Sequence, residues 1–296
     1  MHDLKDRYID LLKHVLTDYH RMEYDEYKPL YWNDSSWRRQ ILIGANRFLE
    51  WLTPRLGHNT YVLCERVATN QHDRQYGLDW PAYADTMIGI KRLENIEYCI
   101  NAILKDNIPG DLIETGVWRG GASIFMKALL EINNVHDRIV WLADSFQGLP
   151  PPDAKYAADA GDRHHANEQL AVSLEAVKRN FEKYGLLDDQ IRILKGWFKD
   201  TLPRAPIKQL SLIRLDGDMY GSTMDALVPL YSKLAPGGFL IIDDWVLKGC
   251  RRAILDYRER HGITEEIVDI DGMGAFWRKE ARHGTPSIPP VTTSAW

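Results

Sequence analysis

The chain has 296 residues, 45% of them hydrophobic, and a formal net charge of −5 at neutral pH. This length and hydrophobic content suffice for one large α/β domain with an accessory segment, and the charge indicates no nucleic-acid or membrane partner. The three cysteines, Cys64, Cys99 and Cys250, lie far apart without a CxxC spacing, which argues against a disulfide framework or a zinc site. Because no apolar run approaches about 18 residues and the start lacks the apolar core of a signal peptide, we expect a soluble, cytoplasmic protein.

Helical periodicity and tryptophans mark the beginning of the chain. Apolar side chains recur at helical spacing over 4–19 and again over 41–52, after a polar stretch that suits a helix start. Over 1–85 we therefore predict a helical segment, which serves as extra core, as a subunit interface or as a cap over a small-molecule pocket. A third helix is predicted over 87–104, ending before Pro109-Gly110.

Beyond this point, strand and helix patterns alternate. The predicted strands cover 111–114, 139–143, 190–194, 210–215, 239–242, 267–270 and 275–278, and the predicted helices cover 120–133, 167–184, 222–234 and 251–261. Such alternation predicts a parallel sheet with helices on both faces, the doubly wound α/β arrangement. The predicted division is a helical segment over 1–85, an α/β domain over 86–280 and a flexible tail over 281–296.

Acidic pairs follow two apolar runs of strand length. Asp216 and Asp218 follow the run 210–215, and Asp243 and Asp244 follow the run 239–242. A strand–helix–strand unit makes the two strands parallel, so both acidic ends lie at one edge of the sheet. Neighbouring strands lie about 4.8 Å apart, so these carboxylates can reach one ion, and hard oxygen ligands suit Mg²⁺ or Ca²⁺ better than Zn²⁺. The alternative for any one of these acids is a structural role, in which it caps the next helix or faces water.

The helix between these two strands carries two signals of opposite effect. Ser222 precedes Asp225 by three residues, which is the spacing of a capping box, so we predict that the helix begins there. Pro229 lies farther along the same helix, where a proline kinks the helix or forces it to start late.

A glycine turn follows the first strand of the predicted sheet, with the sequence ETGVWRGG over 114–121. Its acid-x-Gly-x-x-x-Gly pattern differs from the GxGxxG that binds a pyrophosphate, so NAD is the weaker interpretation. The second strand ends at Asp144, where an acid commonly binds ribose hydroxyls. Simple helix entry also explains the glycines, but the turn and Asp144 together favour a nucleoside-type cofactor with an amino group and a sulfonium.

Several long segments occur in a characteristic order. These are DLIETGVWRGGA, WLADSFQGLPPPD, KGWFKDTLP, LIRLDGDMYGSTMDAL and LAPGGFLIIDDW, with TMIGIKRLENIEYCI upstream. Over about 86–277 the chain resembles the macrocin O-methyltransferase (TylF/MycF-type) family, whereas about 32–69 matches less well and is predicted to be an insertion. The resemblance implies a class I, Rossmann-like methyltransferase fold with a mostly parallel sheet, an antiparallel last strand and an N-terminal helical extension. It also implies a Mg²⁺-dependent enzyme that uses S-adenosylmethionine to methylate sugar hydroxyls of natural products.

The resemblance further assigns roles to individual residues. The implied cofactor-binding residues are Met87, Glu114, Thr115, Gly116, Val117, Asp144, Ser145, Gly196, Trp197 and Asp216. The implied metal ligands are Asp216, Asp243 and Asp244, for Mg²⁺ or alternatively Ca²⁺ or Mn²⁺, and Asp218 is the implied general base. Gly221 stands where many members carry Glu, so any acceptor contact that this Glu makes is missing here.

The chemistry expected of these residues follows from the acceptor. A sugar hydroxyl has a pKa far above neutrality, so its proton must leave as the oxygen attacks the methyl group. A divalent ion that chelates two neighbouring hydroxyls lowers that pKa and orients the acceptor. Asp218, two residues after Asp216 and on the same face of an extended chain, is the expected proton acceptor. Because chelation does not distinguish rings, a catechol-like or other vicinal diol is the alternative substrate, and a non-catalytic S-adenosylmethionine-binding protein is the second alternative.

A long polar connection over 150–165 lies at the predicted binding edge. Connections of this length are either disordered or lids, and we predict a lid. His164 and His165 within it are candidate bases or ligands, although a histidine in a solvent-facing loop is usually neither. The resemblance also implies a small-molecule glycoside as the partner and a homodimer or higher homo-oligomer as the assembly.

Overall fold

A computed structural model describes residues 4–22, 24–30, 37–57 and 59–280. Its helices are α1 (Leu4–Leu16), α2 (Arg38–Leu52), α3 (Gln71–Tyr76), α4 (Ile90–Lys105), α5 (Gly121–Ile132), α6 (Leu174–Lys183), α7 (Phe198–Thr201), α8 (Tyr220–Leu230) and α9 (Lys248–His261). Its strands are β1 (Glu26–Pro29), β2 (Cys64–Val67), β3 (Asp111–Thr115), β4 (Val140–Asp144), β5 (Ile191–Lys195), β6 (Leu210–Leu215), β7 (Leu234–Ile242), β8 (Val268–Asp269) and β9 (Ala275–Arg278). The predicted tail over 281–296 lies outside the described residues.

Seven of these strands form one sheet in the order β5-β4-β3-β6-β7-β9-β8. The first five strands in this order pair in parallel, whereas β9 pairs antiparallel with both β7 and β8. The predicted doubly wound, mostly parallel sheet with an antiparallel last strand is therefore confirmed. Because parallel strands have their carboxyl ends at one edge, the turns after β3, β4, β6 and β7 meet there.

Strand β6 shows why the sheet is covered on both faces. All six of its residues are buried, and successive side chains point to opposite faces. Leu212 joins a core with Leu93 and Phe125 from α4 and α5, whereas Ile213 joins a second core with Leu227 from α8. Full burial of each such side chain stabilises the fold by roughly 1.5–3 kcal/mol.

The boundaries of several elements differ from those predicted. The helix predicted over 167–184 begins only at Leu174, because the Ser173 hydroxyl caps it by accepting a hydrogen bond from the N–H of Ala176. Strand β7 begins at Leu234 rather than residue 239, since its first residues pair with β6 across a register shift. Helix α8 ends at Leu230 rather than residue 234, one residue after Pro229, and a 3₁₀ turn over Tyr231–Lys233 follows it.

The region before α4 contains more than the predicted helices. Strands β1 and β2 form an antiparallel two-stranded sheet, which apolar periodicity did not predict because both strands are four residues long and partly charged. Helix α1 packs against α4 and α5 through its buried side. Leu4 and Leu11, which belong to the apolar pattern predicted over 4–19, are 78% and 60% exposed. No helix among the described residues is long and apolar enough to cross a membrane.

Candidate active site

A cavity of about 640 Å³ opens where the carboxyl ends of β3, β4, β6 and β7 meet. Of the predicted site residues, it is lined by Met87, Glu114, Gly116, Val117, Asp144, Ser145, Gly196, Trp197, Asp216, Asp218, Asp243 and Asp244. Thr115 is not part of this lining, because its buried hydroxyl points into the sheet and lies 3.4 Å from the carbonyl oxygen of Arg214. The fold thus gathers nearly all the predicted residues around one cavity.

The glycine turn after β3 is shaped by close backbone packing. Gly116 has φ 87°, and a Cβ at this position would lie 1.9 Å from the carbonyl oxygen of Asp216. Only glycine fits such an approach. The next N–H, that of Val117, donates to Asp144 Oδ2 at 2.7 Å, and the N–H of Phe146 donates to Asp144 Oδ1 at 2.6 Å. Asp144 therefore joins the turns after β3 and β4, and burial raises its pKa.

The acidic ends of β6 and β7 lie together, as the sequence predicts. The two strands are adjacent and parallel, and the N–H of Asp243 donates to the carbonyl oxygen of Leu215 at 2.8 Å. Asp216, Asp243 and Asp244 each offer one carboxylate oxygen, and these oxygens lie within 4.8 Å of one another. This spacing suits oxygen ligands around one cation.

Two buried arginines, which the sequence reasoning missed, hold these acids. Arg214 on β6 is 2% exposed, and its Nη1 lies 2.6 Å from Glu114 Oε1 and 3.0 Å from Asp216 Oδ2. Its Nη2 lies 2.6 Å from Asp243 Oδ1. The arginine inside the apolar strand LSLIRL is the sequence signal that indicates these contacts, since a buried charge needs partners.

The second arginine reaches the site from helix α4. Arg92 Nη1 donates to Asp243 Oδ2 at 2.6 Å, and its Nε lies 3.0 Å from Asp271 Oδ2 in the turn between β8 and β9. Arg92 and Arg214 therefore face Asp243 from two sides. Burial opposes ionisation of Asp243, but the two guanidinium groups outweigh burial and lower its pKa.

The other acids of the cluster titrate in the opposite direction. Burial, and then the neighbouring carboxylates, raise the pKa of Asp216 and Asp244 well above the usual range. Burial, followed by Asp216, raises the pKa of Asp218 to about 8. Asp216 keeps 28% of its side chain exposed, but it faces a walled cavity rather than bulk water, so its charge remains poorly solvated.

The cavity is lined by more acidic than basic side chains, which favours a bound cation. Ten carboxylates line it, among them those of Glu114, Asp144, Asp216, Asp218, Asp243 and Asp244, against four basic side chains, those of Arg92, Lys155, Lys199 and Arg214. In addition, Asp243 Oδ1 is buried without a hydrogen bond of good geometry, although Arg214 lies close to it. A divalent cation would offset this excess of negative charge, so the donor set fits a hard metal ion.

Asp218 reaches the cavity by a turn and not by the extended chain that we predicted. Strand β6 ends at Leu215, so the alternation of an extended chain does not extend to Asp218. Instead Asp218 has φ 57°, in the left-handed region that Asp tolerates better than most residues. The N–H groups of Gly217 and Asp218 donate to Asp244 Oδ2 at 3.0 and 2.8 Å, which fixes this turn.

The connection after β4 forms one wall of the cavity, and we call residues 150–170 the wall segment. Pro150, Tyr156, Asp159, His164 and Leu170 belong to the lining. His164 Nδ1 lies 2.7 Å from Asp162 Oδ2, and Asp162 also contributes to the raised pKa of Asp218. The wall segment therefore lies beside the acidic cluster, and of the two predicted histidines His164 faces the cavity.

The capping box predicted at Ser222 is wrong, and the start of α8 is capped from elsewhere. The helix begins at Tyr220, two residues earlier than predicted, and Met219 at its N-cap provides no side-chain hydrogen bond. The N–H groups of Tyr220 and Gly221 instead donate to Asp159 of the wall segment, at 2.7 and 2.9 Å. Sequence spacing could not find a cap that lies about sixty residues away in the chain.

Comparison with known proteins gives consistent matches over most of the chain. Residues 5–279 match the family described as Macrocin-O-methyltransferase (TylF). The 8-demethyl-8-(2,3-dimethoxy-alpha-L-rhamnosyl)-tetracenomycin-C 4'-O-methyltransferase of Streptomyces olivaceus is 55% identical over 221 residues, which cover 74% of this chain and 84% of that protein. The Mycinamicin III 3''-O-methyltransferase of Micromonospora griseorubida is 52% identical over 223 residues, covering 74% of this chain and 88% of that protein.

A solved structure matches the fold at similar breadth. The structure of the O-methyltransferase NovP is 41% identical in sequence and covers 94% of this chain and 100% of its own, with a TM-score of 0.76. The agreement therefore extends across the sheet, the surrounding helices and most of the region before α4.

Proposed function

Because the chain belongs to the macrocin O-methyltransferase (TylF) family, we propose that it transfers the methyl group of S-adenosylmethionine to a sugar hydroxyl of a glycosylated natural product. The observation that carries this proposal is the acidic cluster of Asp216, Asp218, Asp243 and Asp244 beside the glycine turn. Two relatives more than 50% identical are named for methylation of a rhamnosyl-tetracenomycin and of mycinamicin III, which supports a glycosylated acceptor.

The side of the cavity formed by the turns after β3, β4 and β5 would hold S-adenosylmethionine. The cofactor, when bound, supplies an electrophilic methyl group on a sulfonium. Gly116 would allow close backbone approach, Asp144 would bind the ribose, and Gly196 and Trp197 would border the adenine. Glu114 accepts hydrogen bonds from Arg214 and Ser123 beneath the cavity. Part of its role would therefore be to support the site that holds the methionine part of the cofactor.

Asp216, Asp243 and Asp244 would hold a divalent cation, for which Mg²⁺ is the best match and Ca²⁺ or Mn²⁺ are alternatives. The cation, when bound, supplies a positive charge that lowers the pKa of a nearby hydroxyl. Arg92 and Arg214 fix the orientation of Asp243, so the three acids are preorganised. This arrangement would also select an acceptor with two neighbouring hydroxyls.

Asp218 would accept the proton of the attacking hydroxyl. It lines the cavity next to the proposed ligands, and the hydrogen bonds from Gly217 and Asp218 to Asp244 fix its backbone. The acceptor oxygen would then attack the methyl group in a single displacement, in which one O–C bond forms and one S–C bond breaks. The proton moves to Asp218, and no covalent enzyme intermediate is required.

An acceptor panel tests the proposal. The protein is incubated with S-adenosylmethionine, Mg²⁺ and either 4-nitrophenyl α-L-rhamnoside or a catechol, and methylated product is measured by mass spectrometry, with an EDTA-treated sample as control. We expect Mg²⁺-dependent methylation of the rhamnoside. Methylation of the catechol alone would favour the vicinal-diol alternative, and cofactor binding without methylation of any diol would favour a non-catalytic protein.

A further inference from the structure

Asp159 of the wall segment binds the start of helix α8 directly. Its Oδ1 accepts a hydrogen bond from Tyr220 and its Oδ2 accepts one from Gly221. These first-turn N–H groups have no partner within the helix, and Met219 offers none from its side chain. Asp159 is only 3% exposed, so its carboxyl group lies buried against the positive end of the helix.

The turn that carries Asp218 lies between two such carboxylates. On its first side, Asp244 Oδ2 accepts the N–H groups of Gly217 and Asp218. On its second side, Asp159 holds the N–H groups that begin α8, two and three residues after Asp218. A non-glycine residue at φ 57° persists only where its surroundings hold it, and these two carboxylates provide that hold.

Shape also fits the wall segment to this place. A Cβ at Gly221 would lie 2.9 Å from the Tyr156 ring and 3.3 Å from Asp159 Oδ2, and a Cβ at Gly249 of α9 would lie 3.0 Å from Asp159 Oδ1. The ring of Tyr156 also lies 5.1 Å, between centroids, from that of Tyr220. Two glycines thus leave the space that the seated segment fills.

We propose that Asp159 is a positioning residue for methyl transfer, because seating of the wall segment on α8 fixes the turn that presents Asp218 to the acceptor. The inference rests on the proposed role of Asp218. The wall segment both encloses the acceptor side of the cavity and holds the end of this turn, so enclosure of the acceptor and placement of the base are coupled. Loss of Asp159 leaves two N–H groups without a partner and frees the turn at one end.

The test compares Asp159→Ala and Asp159→Asn with a matched control, Ser173→Ala. Ser173 also caps a helix, since its hydroxyl accepts the N–H of Ala176, but it lies at α6 and outside the cavity lining. For each protein, amide hydrogen exchange of Gly217 and Asp218 is measured by NMR. S-adenosylmethionine affinity is measured by calorimetry, and kcat and KM are measured with the sugar acceptor.

In Asp159→Ala we expect the Gly217 and Asp218 amides to exchange about tenfold faster or more, although neither is bonded to Asp159. We expect kcat to fall by about 10- to 100-fold with S-adenosylmethionine affinity unchanged, because the base is misplaced. Asp159→Asn keeps one oxygen acceptor and should be intermediate, and Ser173→Ala should match wild type in these measurements.

Wild-type exchange at Gly217 and Asp218 in either folded Asp159 variant would overturn the inference, as would an unchanged kcat. If Asp159→Ala does not fold, the nearly isosteric Asp159→Asn decides. The exchange measurement needs no acceptor, so wild-type exchange overturns the hold of Asp159 on the turn whether or not a sugar is methylated. Faster exchange in the variants without methylation of any sugar by the wild type would instead refute the proposed function, on which the inference rests.

Discussion

Replacement of Arg214 by Met tests the electrostatic balance of the site. One 2% exposed guanidinium lies within 3.0 Å of carboxylate oxygens of Glu114, Asp216 and Asp243. Removal of one partner from a buried ion pair destabilises a protein by about 3–5 kcal/mol, because the remaining charge stays buried without compensation. Since one guanidinium serves all three acids, their contributions do not add, and we expect Arg214→Met to lower the free energy of unfolding by about 3–5 kcal/mol at pH 8.

The loss should become smaller as the pH falls. Burial raises the pKa of Glu114 to about 7, although Arg214 and Ser123 act to lower it. Without Arg214 this pKa rises further. A carboxyl group whose pKa is higher in the folded state takes up protons on folding, so its contribution to stability is largest at low pH and is lost as the pH rises through the folded-state pKa. One pKa unit corresponds to about 1.4 kcal/mol, so at pH 6 we expect a loss smaller by about 1–2 kcal/mol.

Urea unfolding followed by tryptophan fluorescence at pH 8 and pH 6 provides the measurement. Arg192→Met is the matched control, because Arg192 also lies in a strand of the sheet but is exposed. It should change the free energy of unfolding by no more than about 0.5 kcal/mol at either pH. A loss below about 1 kcal/mol for Arg214→Met, or an equal loss at the two pH values, would refute the reasoning.

Three further predictions concern the cavity. Asp218→Asn should abolish turnover while calorimetry finds unchanged affinity for Mg²⁺ and S-adenosylmethionine; unchanged turnover would remove Asp218 from the mechanism. Gly221→Ala should push the Tyr156 ring away and speed proteolysis within 150–165, because the added Cβ lies 2.9 Å from that ring; wild-type cleavage would show that the segment adapts. Mg²⁺ binding should release protons and tighten as the pH rises, since burial and neighbouring acids raise the pKa of Asp216 and Asp244. The same binding enthalpy in buffers of different ionisation enthalpy would contradict a cation at these acids.

The sheet was predictable because its pattern is local. Apolar runs of strand length alternate with helical faces from β3 onward, and this alternation alone indicates a doubly wound sheet. The errors fall where local pattern is weak. Strands β1 and β2 are too short and too charged to show alternation, and residues 167–172 look helical but precede the true cap at Ser173. Family resemblance, rather than periodicity, supplied the identity of the fold.

The acidic half of the site was predictable for a similar reason. Asp216 and Asp243 directly follow strands, so parallel topology brings them to one edge without any knowledge of side-chain contacts. Asp218 lines the cavity, but a left-handed turn presents it rather than the extended chain that we predicted. Thr115 lies between two cavity residues in sequence, but strand alternation turns its side chain to the opposite face of the sheet.

Sequence spacing could not predict the residues that hold the acids. Arg214 and Glu114 are 100 residues apart, Arg92 and Asp243 are 151 apart, and Asp159 and Tyr220 are 61 apart. Each pair joins two elements, and the sequence pattern of either element predicts that element without any reference to the other. The sequence still contained a usable signal, because a buried charge in a strand requires a partner, and the acids at the strand ends were the available candidates. A buried Arg214 beside these strand ends predicts acids that are preorganised as well as clustered. Preorganised acids are what the proposed metal-assisted methyl transfer requires.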